Sequence, residues 1–93
     1  MRRYLCSHLV SLRANSREST VNLEEIWQSG ATIECEDTVE KGAAVEIRCD
    51  AAVFAGRATR VERHEYGWRV DIEFSPLTPW SLEKFRPQHL FAV

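Results

Sequence analysis

The sequence predicts an all-β protein: a small six-stranded antiparallel β-barrel with a short C-terminal α-helix. Three observations carry that expectation. Several segments alternate apolar and polar side chains with a period of two, turn residues separate them at short intervals, and the last apolar stretch is bracketed by prolines. The alternation is clearest in "WRVDIEF", where Trp68, Val70, Ile72 and Phe74 interleave with Arg69, Asp71 and Glu73. That is the pattern of a strand with one face on a core and the other in water.

The remaining elements follow in order. "LVSLR" (9–13) and "STVNLEEI" (19–26) are two weaker strand candidates. "ATIECE" sets Ala31, Ile33 and Cys35 against Thr32, Glu34 and Glu36, and "AAVEIRCD" sets Ala43, Val45, Ile47 and Cys49 against Glu46, Arg48 and Asp50. "EDTVEKG", ending at Gly42, separates these two. "VFAGRATRVERHE" is strand-like but slips phase at Thr59–Arg60, where a β-bulge is expected. "HEYG" then turns the chain into the strand from Trp68. In "SPLTPWSLEKFRP", Thr78 is the expected N-cap, Pro79 the first helical residue and Pro87 the stop. Trp80, Leu82 and Phe85 would then face the barrel and cover one end. The expected boundaries within a single domain (1–93) are an N-terminal arm at about 1–8, a barrel at about 9–75 and a helix at about 79–86.

Size and charge narrow the function classes. A chain of 93 residues has one core and little room for an interior active-site cavity. A net charge of -2 argues against a general nucleic-acid binder. Of 12 basic residues only Lys41 and Lys84 are lysines, which leaves ten arginines, the side chain suited to bidentate contact with phosphate or carboxylate. Cys6, Cys35 and Cys49 form no CxxC pair, and Cys35 and Cys49 fall in phase with core positions. The odd count, with no apolar run long enough for a signal peptide or membrane span, leads to an expected cytoplasmic location without membrane insertion.

No catalytic or metal site is expected. His8, His64 and His89 lie in three unrelated segments, without ligand spacing to the cysteines. Glu24 and Glu25 are adjacent, and neighbouring strand residues point to opposite faces, so they do not read as a facing acid–base pair. Ser7, Ser11, Ser16 and Ser19 sit in no nucleophile motif. The expected protein is non-enzymatic and binds something. Two features suggest an anion: the pair Arg2–Arg3, and the loop "EEIWQSGATIEC" (24–35), where Gly30 would let a ligand approach the backbone.

In its order of basic arm, strand, Gly-Ala loop, hairpins and the closing "GWRVDIEFSPLTPWSLEKF", the chain resembles the PilZ domain family over roughly residues 2–86. The resemblance implies a six-stranded barrel of bacterial signalling that binds cyclic di-GMP through two motifs. An RxxxR in the N-terminal arm clamps phosphates and guanines, and a D/N-x-S-x-x-G on the barrel surface contacts the other side of the ligand. Here Arg2 or Arg3 matches the first arginine, but Cys6 or Ser7 stands at the second. Arg13 and Arg17 are the spatial substitutes to consider. "EIWQSG" places Glu25 at the Asp/Asn position and Trp27 at the serine, with only Gly30 retained; starting instead at Asn22 restores the Asn but not the Ser. Trp27 could stack on a purine, fill an emptied site or belong to the core. The resemblance thus implies a ligand set of Arg2, Arg3, Glu25, Trp27, Ser29 and Gly30, no cofactor, nucleotide binding that is weak or lost, and action through a protein partner. A genuine cyclic di-GMP receptor is the alternative.

Overall fold

The computed structural model describes residues 2–93. Its seven strands are β1 (Arg3–Ala14), β2 (Arg17–Trp27), β3 (Gly30–Cys35), β4 (Ala44–Cys49), β5 (Ala52–His64), β6 (Gly67–Phe74) and the two-residue β7 (Phe91–Ala92). All pairings are antiparallel, in the order β2-β3-β6-β5-β4-β1-β7. Strand β1 also pairs with β2, so the first six strands close into a barrel. Closure removes the free edges that an open sheet would expose.

The alternation seen in the sequence sorts the side chains into an inner and an outer set. Leu23, Ile26, Ile33, Ile47, Phe54, Val70 and Ile72 are fully buried, and Cys35 and Cys49 pack among them. Phe54 and Phe74 stack with ring centroids 5.2 Å apart. The expected bulge is present: Ala58 pairs with Ile72 and Arg60 with Asp71, which leaves Thr59 as the extra residue of β5. The turn after His64 also falls as read, with Glu65 and Tyr66 joining β5 to β6.

Strand β1 already begins at Arg3 and pairs with β2 from that residue, so the stretch expected as an arm is built into the sheet. It reaches β4 only through Ser11–Ala14. The gap left beside its first half is filled by the C-terminal segment.

That segment is the main departure from expectation, because no helix forms at 79–86. On a helix, residues five apart point about 140° away from each other. Trp80 and Phe85 are nevertheless both buried, at 5% and 4% exposure. One helical face cannot bury both, whereas an irregular loop can. A single turn remains, in which the amides of Lys84 and Phe85 both donate to the Ser81 carbonyl at 3.1 and 3.2 Å. The Trp80 indole N–H donates to the Phe85 carbonyl at 2.9 Å, and Thr78, the expected N-cap, instead bonds the backbone of Ala55 in β5. Trp80 meets Tyr4 and Phe85 meets His8, both edge to face, so the loop still covers one barrel end.

Candidate functional site on the barrel surface

Antiparallel register lays the outward-facing residues out in rows across the strands. One row runs Arg3, Trp27, Gly30, Glu73, Arg57. The next runs Phe91, Leu5, Glu25, Thr32, Asp71, Arg60. A third contains Asn22, Glu34, Arg69 and Glu62. An open cleft of about 610 Å³ lies over the second and third rows, lined by residues that include Arg3, Leu5, Glu24, Glu25, Arg69 and Asp71.

Trp27 is not in a loop. It is the last residue of β2, opposite Gly30, and Gln28 and Ser29 alone make the turn. Gly30 does not have positive φ, which among the glycines only Gly42 adopts. It is required for a different reason: a Cβ at Gly30 would collide with the Ile72 carbonyl and come within 2.8 Å of the Trp27 ring. The indole therefore lies across the glycine and covers it, as aromatic residues do for strand glycines elsewhere. Arg3 completes the stack, with its guanidinium carbon 4.0 Å from the centroid of the Trp27 ring and Nη1 3.5 Å from Glu25 Oε1.

The structure thus brings together Arg3, Glu25, Trp27 and Gly30 from the expected ligand set. Arg2 is exposed and precedes the first strand, and Ser29 is exposed in the turn. Arg13 and Arg17 sit at the β1–β2 turn, ten or more residues along the strands from Arg3.

The adjacent carboxylates depart from expectation. Glu24 and Glu25 line the same cleft instead of opposite faces. The cause is a pair of register slips, between Leu23 and Glu25 against β3 and between Leu5 and His8 against β1. Leu23 and Ile26 both point inward, and three-residue spacing between core positions needs an extra residue on the outside. Arg69 bonds Glu24 through Nε at 3.1 Å and Nη2 at 3.4 Å. Burial pushes the Glu24 carboxyl above its ordinary range, a bond with Glu34 adds to this, and Arg69 pulls it back. Glu34 also lies 3.0 Å from His64 Nε2. Thr32, buried at 7% exposure, donates its hydroxyl to Asp71 Oδ1 at 2.8 Å.

Thr32, Asp71, Glu34 and Arg69 are not among the site residues expected from the sequence. Thr32 and Asp71 lie 39 positions apart, and only the register of β3 against β6 joins them. Chemically the cleft offers carboxylates and a hydroxyl, with its two arginines already engaged by Glu25 and Glu24. It suits a ligand that brings donors or positive charge. Comparisons with protein-family models, with characterised proteins and with solved structures find no match to this chain.

Proposed function

We propose that the chain is a non-enzymatic, PilZ-like regulatory module whose cyclic di-GMP site has been closed, and that it acts through a protein partner in the bacterial cytoplasm. The order of segments and the six-stranded barrel support the family reading. The observation that carries the loss of nucleotide binding is the stack of Arg3, Trp27 and Gly30. At the position of the motif serine, a tryptophan covers the glycine that a ligand would approach, and it also takes the one matching arginine of the barrel.

For Arg3 to clamp a phosphate it must leave both the indole, a contact worth about 0.5–1 kcal/mol at an exposed site, and Glu25, worth up to about 1 kcal/mol. The surrounding charge opposes the ligand as well. Glu24, Glu25 and Asp71 outnumber Arg3 and Arg69 in the cleft by three to two, and cyclic di-GMP brings two negative phosphates.

Rebuilding both motifs tests the reading. Ser7→Arg places an arginine four residues after Arg3, while Glu25→Asp and Trp27→Ser restore the second motif. The triple variant is expected to gain calorimetrically measurable cyclic di-GMP binding over the parent. If the parent binds at micromolar concentration and the triple variant binds no better, Trp27 is a stacking platform and the chain is a receptor.

A further inference from the structure

We propose that the cleft over β1, β2, β3 and β6 is the docking site for a partner protein segment. That segment carries an arginine, which seats on Asp71, and an apolar residue about four positions away, which seats on Leu5 and Phe91. The proposal rests on the reading of this face as a protein-binding surface and names the chemistry of the partner.

Asp71 lines the cleft. Its cross-strand neighbour is Arg60, the cation that a checkerboard of charge would supply. Arg60 turns instead to Glu62 in its own strand and forms an ion pair there. Among the described residues, the Asp71 carboxylate is answered only by the Thr32 hydroxyl, which donates to Oδ1. The other two carboxylates of the cleft each hold an arginine. Among the described carboxylates of the cleft, Asp71 is the one left to take a cation from outside, and a guanidinium fork matches a carboxylate.

The same row continues to an apolar end. Leu5 is 46% exposed, and its partner in β7, Phe91, is 68% exposed. Three strand spacings separate Leu5 from Asp71, so about 14 Å of sheet surface lies between the two subsites. An extended segment advances about 3.3 Å per residue, which sets four residues from the apolar anchor to the arginine. The occupant therefore lies across the strands, parallel to the row.

A short peptide, acetyl-Leu-Ser-Gly-Ser-Arg-amide, serves as the probe, titrated into isotope-labelled protein while backbone amide shifts are followed. Its counterpart with citrulline in place of arginine has the same shape without the charge. The expected result is shifts concentrated at Leu5, Thr32 and Asp71. Binding should be at least about tenfold weaker for the citrulline peptide and for Asp71→Asn, the difference that one charged hydrogen-bonding partner makes. Asn retains an oxygen to accept from Thr32, and the citrulline comparison on the parent protein needs no variant. Equal affinity of the two peptides, shifts elsewhere on the barrel, or none at millimolar peptide overturns the proposal. A separate titration with cyclic di-GMP reports on the loss of nucleotide binding alone, so the two readings can fail independently.

Discussion

Replacing Gly30 by alanine tests the reason that Trp27 stands where it does. The added methyl meets the Ile72 carbonyl, and its other near neighbour is the Trp27 ring at 2.8 Å. The ring can swing away, but the carbonyl belongs to β6, which is held between β3 and β5. Overpacking of this kind costs about 1–3 kcal/mol, and a backbone obstacle favours the upper end. Loss of glycine's freedom in the unfolded chain returns about 0.4–1 kcal/mol. The net expectation is a destabilisation of about 2 kcal/mol, or a fall in Tm of about 8–16 °C for a domain of this size. Urea denaturation followed by tryptophan fluorescence reads it directly. Adding Trp27→Ala should give a double variant less destabilised than the sum of the two single ones, because one of the two clashes is gone. A Gly30→Ala protein that unfolds at the parental urea midpoint would refute the close approach of β3 to β6 and, with it, the covering role of the indole.

Three further outcomes follow from the packing. Glu24 has a raised carboxyl, so its contribution to stability is full below the ordinary value of 4.5 and falls as pH rises through its value in the folded protein. Glu24→Gln, which can still accept from Arg69, should therefore gain on the parent as pH rises above about 4.5; urea midpoints that run parallel with pH would contradict this. Burial, reinforced by Glu25 and Glu24, pushes the Cys6 thiol up to about 11, and burial pushes Cys49 up to about 12. At about pH 8 the thiolate fractions are then roughly one in a thousand and one in ten thousand. Native protein should resist iodoacetamide at both positions, while denatured protein takes up three adducts by intact mass. Trp80→Phe keeps a ring in the barrel end but leaves the Phe85 carbonyl without its 2.9 Å donor, at a cost of about 1–2 kcal/mol in urea denaturation. An unchanged midpoint would show that the C-terminal loop is not held by this bond.

How legible the molecule was depended on whether local pattern or long-range register set each feature. Strand β6 could be read residue by residue, because every inward position from Val70 to Phe74 meets the same core. The slip at Thr59 was visible as a broken phase. The outward turn of both Glu24 and Glu25 was written in the three-residue gap between Leu23 and Ile26, yet adjacency suggested opposite faces. The C-terminal helix failed because proline and threonine signals describe where a helix could start and stop, while the burial of Trp80 and Phe85 together decides whether it forms. Within the site, Arg3, Glu25, Trp27 and Gly30 could be approached through a linear motif. The Thr32–Asp71 pair could not, since it exists only through the alignment of two strands distant in sequence.

Under the proposed function, Trp27 and Arg3 close the face that would otherwise take a nucleotide. Calorimetric titration of the unmodified protein with cyclic di-GMP at moderate salt, beside the Arg2→Ala/Arg3→Ala variant, tests it most directly. No heat of binding and no ligand-dependent rise in Tm are expected for either protein. Low-micromolar binding to the parent that disappears in the double variant would contradict this.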